Sequence, residues 1–407
     1  MNCRHCNAPL TLSFVDLGHA PPSNAYLRPD DLNAPEITYP LRVKVCSTCR
    51  LVQTEDYAAA SELFTSDYAY FSSTSAGWLA HAAEFASMIT GRLGLDGNSH
   101  VIEVASNDGY LLRNFVAAGV PCLGVEPTDS TADVAEAQGI PVLRAFFGEE
   151  MGRDLARQGK SADLVCGNNV YAHVPDINDF TRGLAAVLKP QGVVTLEFPH
   201  LLRLIEQTQF DTIYHEHYSY LSLLAVERIF TAAGLRIFDV THLPTHGGSL
   251  RLYGCRAEAD HRETEAVGQC LALERTAGLD TDAAYTAFQA QADAVKNGLL
   301  AFLLQAKSDG KTVAGYGAAA KGNTLLNYAG VKPDLLPFIC DAAQAKQGKF
   351  MPGSHIPIFP PAALAANRPD FILILPWNIA GEVQQQLAHL QAAGSRFVTA
   401  VPELRIL

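Results

Sequence analysis

Nowhere in the 407 residues does an apolar run reach the roughly eighteen residues of a membrane-spanning helix. Basic residues are also in deficit, with 30 Lys and Arg against 42 Asp and Glu and a formal charge of -12. Nucleic acid and anionic membranes both require a positive field, so neither is expected as a partner. The opening residues Met1-Asn2-Cys3-Arg4-His5-Cys6 carry no apolar stretch of the signal-peptide kind, and the protein is expected to be soluble and cytoplasmic. Nine cysteines, scattered except for four, make no disulfide framework and fit a reducing compartment. No fixed-period repeat and no low-complexity segment is present.

What is there is globular. Hydrophobic residues make up 48% of the chain, and its length calls for two or three domains, each burying its own core. Residues 1–72 are rich in Pro, Asp and Cys, lack helical periodicity and need something other than a core to hold them. From Gly77 to Leu93, apolar residues recur at three and four, which predicts an amphipathic helix at the start of a second region, 73–256. There, short apolar runs at Val101–Val104, Cys122–Val125, Val142–Leu143, Leu164–Cys166 and Val193–Phe198 alternate with helical stretches such as Ala132–Gln138 and Phe180–Leu188. That order predicts an α/β fold with a parallel sheet, and Leu235–Val240 and Ser249–Tyr253 read as two more strands closing one edge. The third region, 257–407, begins with a helical connector to about Lys307. A second α/β alternation follows, with strands at Val313–Tyr316, Phe338–Cys340, Phe371–Leu375 and Phe397–Val401 and helices at Ala319–Tyr328 and Val383–Ala392.

Cys3-x-x-Cys6 and Cys46-x-x-Cys49 are two thiolate knuckles. Two such pairs complete a tetrahedron around one zinc, and four sulfurs fill its shell, so this zinc is expected to be structural. Tyr214-His215-Glu216-His217-Tyr218 places two imidazoles and a carboxylate between two phenols. The cluster suits a metal or a proton, although a metal-binding helix spaces its histidines at i and i+4. The quartet already accounts for a metal without any histidine.

Ile102-Glu103-Val104-Ala105-Ser106-Asn107-Asp108-Gly109 ends the first strand of the second region and leads into a helix. Only Gly109 is glycine, and Ala105 stands where glycine is usual. Glu126, at the end of the next strand and about 20 residues on, is placed to accept hydrogen bonds from ribose hydroxyls. Loop and carboxylate together do not separate NAD from S-adenosylmethionine. The fourth strand runs into Asn169-Val170-Tyr171-Ala172-His173-Val174-Pro175-Asp176, which resembles the corresponding pattern of class I methyltransferases, as Leu188-Lys189-Pro190-Gln191-Gly192 resembles their turn before the fifth strand.

With the quartet, the methyltransferase-like centre and the second α/β unit in this order, the chain resembles over its whole length the zinc-containing sugar C-methyltransferases. Matching segments include Asp67–Ser73, Phe210–His217, His246-Gly247-Gly248-Ser249-Leu250-Arg251 and Gly315–Lys321. The resemblance implies a small N-terminal zinc-binding module, a central class I (Rossmann-like) methyltransferase domain and a C-terminal second Rossmann-like α/β domain. It implies S-adenosylmethionine and one structural Zn2+ as cofactors. The expected substrate is a nucleotide-linked 4-keto-deoxysugar, methylated at carbon 3 through an enolate. His217 would be the general base, with Tyr214 and Glu216 beside it and Tyr68 near the sugar. Glu103, Ser106, Asn107, Asp108, Gly109, Glu126 and Asn169 would hold the cofactor, and Tyr70, His173, His246, Gly247, Lys321 and Lys346 the substrate. The chemistry fits these residue types, because an acidic carbon beside a ketone needs a base near neutrality and donors for the enolate. Glu216 is expected to orient the imidazole or to bind a sugar hydroxyl. The loop at Gly315-x-Gly317, with amides at a helix start and Lys321, Lys346 and Lys349 nearby, is expected to take the substrate's pyrophosphate. The nucleotide (dTDP or GDP), the stereochemical course and the role of His215 stay open. So do two rival functions: an NAD-dependent nucleotide-sugar oxidoreductase and a zinc-module scaffold without catalysis.

Overall fold

The computed structural model describes residues 1–57 and 71–407. Three sheets organise them. The first contains β1 (Leu12–Ala20), β2 (Tyr39–Val45) and β3 (Val52–Thr54), all antiparallel, and takes as its outer strand β9 (Ser219–Tyr220), which follows the Tyr214–Tyr218 cluster. The module is therefore not held by metal alone. Phe14, Val15, Val43, Val45 and Val52 are buried in a core continuous with the centre of the molecule, and Phe14 stacks on Phe288 with ring centroids 4.3 Å apart.

The second sheet comprises β4 (Val101–Val104), β5 (Cys122–Val125), β6 (Val142–Leu143), β7 (Ala162–Asn168), β8 (Leu188–Pro199), β10 (Leu235–Leu243) and β11 (Ser249–Arg256), in the order β10-β11-β8-β7-β4-β5-β6. Only β11 runs against its neighbours. Val101 to Val104 are all buried, as expected of a parallel strand covered by helices on both faces. The helix Ala76–Leu93 begins where the Ser75 hydroxyl accepts from Trp78 N and ends at Gly94, left-handed at φ 63. It buries Ala82, Phe85, Ala86 and Ile89. The chain leaves β4 for β5 on one side and returns to β7 on the other, so a crevice opens at the carboxyl ends of β4 and β7, where such sheets bind ligands.

The connector is three helices, Glu265–Thr276, Ala283–Thr286 and Phe288–Ser308. The third sheet, in the order β14-β13-β12-β15-β16-β17, is built from β12 (Val313–Tyr316), β13 (Ile339–Cys340), β14 (Ile358–Phe359), β15 (Phe371–Ile374), β16 (Arg396–Thr399) and β17 (Arg405–Ile406). It is parallel except for β17. The helix expected over Val383–Ala392 starts at Ala380 and is interrupted at Leu387. No helix among the described residues is long and apolar enough to cross a membrane.

Candidate active site

The two cysteine knuckles meet. Cys3 Sγ lies 3.5 Å from Cys49 Sγ and Cys6 Sγ 3.4 Å from Cys46 Sγ, and all four sulfurs fall within 4.8 Å of one another. A tetrahedron with zinc–sulfur bonds of about 2.3 Å has edges of about 3.8 Å, so the quartet fits one zinc after a small expansion. The knuckles share one turn: Asn7 N donates to Cys3 O and Arg50 N to Cys46 O, with Asn7 and Arg50 left-handed at φ 60 and 67. Gln53 Nε2 and Cys49 N donate to the sulfurs of Cys3 and Cys46, which favours thiolates. This zinc is structural, and its knuckles reach the catalytic region. Arg4 donates to Pro175 O, and Asn178 donates to the carbonyls of Arg4 and His5.

A cavity of about 690 Å³ occupies the crevice beyond β4 and β7 and extends to the C-terminal domain. Nine described residues other than glycine have a left-handed backbone, and four of them line this cavity: Ala105 (φ 56), Asn107 (φ 49), Asn169 (φ 55) and His246 (φ 54). Such strain persists where the surrounding structure enforces it, commonly at functional sites. It also explains Ala105, whose position demands the conformation that glycine adopts at little cost. Gly109, at φ 78, cannot be replaced so easily, because a Cβ there would lie 2.4 Å from Ile140 Cδ1.

At the cofactor end, Asn107, Glu126 and Asn169 line the cavity. The Glu126 carboxylate accepts from Asn107 N and Thr128 N, each at 2.9 Å, which fixes it at the tip of β5 with lone pairs to spare. Glu103, Ser106, Asp108 and Gly109 stand behind that wall. Buried polar atoms without a partner cluster here: Ser106 Oγ, Asp108 Oδ1 and the whole amide of Asn168. Burial pushes the Glu103 carboxyl well above the usual carboxylate range. Trp78, Tyr110 and the exposed Phe146 add aromatic faces. A ligand with ribose hydroxyls, an aromatic base and a charged amino-acid tail fits this lining, as S-adenosylmethionine requires.

At the other end of the cavity lies the strap 210–218, with the Tyr214–Tyr218 cluster. Tyr214, Glu216 and His217 line the cavity, whereas His215 turns to the zinc module, where Nε2 hydrogen-bonds Pro40 O at 3.2 Å. The strap's position is set from outside: Thr54 Oγ1 donates to His217 O, and Tyr218 N to Ala172 O. His217 is 8% exposed, and its Nδ1 lies 2.8 Å from Thr212 O. A carbonyl only accepts, so Nδ1 carries the hydrogen and Nε2 is the lone-pair nitrogen. Burial, with His173, His246 and Lys321 as neighbours, drives the His217 pKa well below its ordinary value, so the imidazole is neutral at pH 7. His173 and His246 are both lowered to about 4, chiefly by burial. His173 Nδ1 donates to Glu216 O, and His246 Nε2 accepts from Asn169 Nδ2. Glu216, 1% exposed, is pushed up to about 7 by burial, against the pull of the Asn24 Nδ2 hydrogen bond at 2.9 Å. Its carboxylate is bound to Asn24, and it is Thr212 that orients the imidazole.

The C-terminal domain contributes Lys321 and Lys346 to the cavity wall. In the loop after β12, three amides ahead of the helix are already bonded. Gly317 N donates to Cys340 O, Ala319 N to Gly317 O, and Ala318 N to Asp341 Oδ2 at 2.7 Å. Asp341 sits where a phosphate oxygen was anticipated, and Lys346 Nζ is held on Ala318 O at 2.8 Å. Gly247 lies outside the lining, with its carbonyl on Gln209 Nε2. Tyr68 and Tyr70 fall outside the described residues. Asn24, Trp78, Thr212 and Asn168 were not singled out from sequence. Trp78, one of only two tryptophans, sits on the first predicted helix, and Asn168 adjoins a quoted motif, but nothing local marks Asn24. One further buried group, His200, Cys270 and Glu274, has metal-ligand chemistry. There Glu274 accepts from His200 Nε2, Leu223 N and Leu224 N, which is a helix cap already satisfied.

Residues 3–64 match a family profile described as "Putative zinc binding domain", residues 71–240 one described as "Methyltransferase domain", and residues 244–402 one described as "C-methyltransferase C-terminal domain". The C-methyltransferase NovU of Streptomyces niveus is 36% identical over 405 residues, covering 100% of this chain and 96% of that protein. A ubiquinone biosynthesis O-methyltransferase of Rhizobium etli is 29% identical over 99 residues, 23% of this chain and 38% of its own length. Among solved structures, the magnesium protoporphyrin IX methyltransferase of Synechocystis PCC 6803 with bound SAH is 16% identical, covers 44% of this chain and 84% of its own, and superposes with a TM-score of 0.35.

Proposed function

This chain belongs to the C-methyltransferase family, with a zinc-binding module and an S-adenosylmethionine-dependent methyltransferase domain, and on that premise we propose that it methylates carbon 3 of an NDP-4-keto-deoxysugar through an enolate, in branched deoxysugar biosynthesis. The two rival functions, oxidoreductase and scaffold, fall away with that membership.

The observation that carries the reading is His217: a neutral imidazole with a fixed tautomer, lining one cavity with the cofactor loop. In this reading Nε2 takes the C3 proton, the C–H electron pair becomes the enolate double bond, and the C4 carbonyl oxygen gains the charge. Tyr214, its ring 3.9 Å from that of His217, presents a phenol to the same space. Glu216 accepts from a sugar hydroxyl, and His173 and His246, kept neutral, contact the sugar. S-adenosylmethionine, when bound, supplies the methyl, the new C–C bond forming as the C–S bond breaks to leave neutral S-adenosylhomocysteine. Asn107, Glu126 and Asn169 hold it. A lowered imidazole pKa ensures the basic form but makes a weak base, so the enolate must be stabilised within the low-dielectric cavity.

The test is turnover with S-adenosylmethionine against dTDP- and GDP-linked 4-keto-deoxysugars. The expected result is one S-adenosylhomocysteine per C3-methylated sugar. Methylation on oxygen, or turnover indifferent to the keto group, would overturn the assignment.

A further inference from the structure

We propose that Lys321 is a catalytic residue, its ammonium stabilising the enolate oxygen formed when His217 removes the C3 proton. The inference rests on the keto-sugar reading above and gives the C-terminal domain a part in the chemistry itself.

Lys321 sits at the start of the helix Ala320–Ala329 and lines the cavity together with Tyr214, His217 and His246. One turn on, on the same face, Thr324 Oγ1 donates to Ile213 O at 2.8 Å, so this helix is tied to the strap one residue before Tyr214. The ammonium is held in place. Nζ donates to Asn378 Oδ1 at 2.7 Å and lies 4.9 Å from the centre of the Trp377 ring. Trp377 Nε1 in turn donates to Asp211 Oδ2 at 2.8 Å. Asp211, buried and tied in through Trp377, opposes the lysine's charge at the far side of the same network.

The alternative task is to grip the substrate's phosphates, although the amides of Gly317, Ala318 and Ala319 are bonded within the fold, Ala318 N to Asp341. Lys321 acts electrostatically on the site: after burial, its charge is among the causes that lower His217 and His246, and burial lowers the lysine's own pKa with Asp211 opposing. A cation held in the same cavity as the base is suited to meet the negative charge that appears on the enolate oxygen. Preorganised donors of this kind are worth about 10²–10³ in rate.

The step can be isolated from methyl transfer. With S-adenosylhomocysteine bound and deuterated solvent, the wild-type enzyme should exchange the C3 hydrogen of the keto sugar, followed by NMR. Lys321→Met should slow exchange at saturating sugar by about 10²-fold or more, with unchanged affinity for S-adenosylmethionine and for dTDP alone, while Lys321→Arg retains part of the rate. Wild-type exchange in Lys321→Met refutes the proposal. So does lost dTDP affinity with the saturating exchange rate intact, which would make Lys321 a phosphate anchor. If Lys321→Met fails to fold by circular dichroism, Asn378→Ala, which leaves the lysine but releases its ammonium, should still slow exchange, and an unaltered rate refutes the proposal equally. Absence of exchange in the wild type with every keto sugar would instead refute the keto-sugar reading, and the role of Lys321 with it.

Discussion

Replacing His217 with Asn separates its two jobs. The structure gives Nδ1–H a structural task, the 2.8 Å bond to Thr212 O, and leaves Nε2 for chemistry. An Asn amide can donate to the same carbonyl, so that bond, worth about 1 kcal/mol, survives. What folding loses is ring packing against Tyr214 at 3.9 Å and His173 at 4.6 Å, about 0.5–1.5 kcal/mol for each contact. A stability loss of about 1–3 kcal/mol should therefore leave the protein folded. Catalysis loses its base, which is worth about 10²–10⁴ in rate. S-adenosylhomocysteine formation at saturating substrate should fall by that factor, while calorimetric affinity for S-adenosylmethionine is unchanged. His215→Asn is the control: two positions away but bonded to Pro40 O outside the cavity, it should cost stability and little rate. A His217→Asn enzyme within tenfold of wild type, or equal losses in the two variants, would refute the assignment of the base.

Chelating the zinc should disturb catalysis before cofactor binding, since Arg4, His5 and Thr54 reach Pro175, Asn178 and His217 rather than the β4 loop; turnover that survives complete zinc removal contradicts this. Burial pushes the Glu216 carboxyl up to about 7, and its ionised form is the stronger acceptor for a sugar hydroxyl, so kcat/KM should rise as pH increases through about 7 and flatten in Glu216→Gln. Asn24→Ala removes the bond that lowers this pKa, so the profile should move to higher pH; a shift downward would contradict the geometry. Stability runs the other way, because a carboxyl raised on folding contributes fully below its ordinary 4.5 and loses that contribution as pH rises through about 7, which pH-dependent denaturation of Glu216→Gln can read. Gly109→Ala adds left-handed strain of about 1–2 kcal/mol to a 2.4 Å clash with Ile140 Cδ1, and Ile140→Val should recover part of the lost melting temperature.

Much of this was legible because it is local. A strand such as Val101–Val104 declares itself by three apolar β-branched residues in four, and a zinc knuckle by two cysteines three apart, since both signals are local in the chain. Boundaries were less legible. The expected fifth strand, Val193–Phe198, runs from Leu188 to Pro199, through Lys189-Pro190-Gln191, which reads as a turn. The helix expected to 392 breaks at Leu387, where no glycine or proline announces it. Nothing local to the expected pyrophosphate loop shows that Ala318 N is taken by Asp341, which comes from the next strand's end, 23 positions away.

The sequence by itself determined the order of three units, the zinc quartet, the alternation of strands and helices and the residue types of the reactive strap. Only the tertiary structure decided which members of the strap face the cavity. In His215 and His217 the same side chain stands two positions apart, and what distinguishes them is the carbonyl each meets, Pro40 O for one and Thr212 O for the other. The partners that tune the site are equally remote: Asn24 for Glu216, Thr54 for the His217 carbonyl, Trp377 for Asp211 and Asn378 for Lys321. Charge, tautomer and pKa belong to the environment a side chain is folded into, and much of that environment comes from segments 57 to 192 residues away.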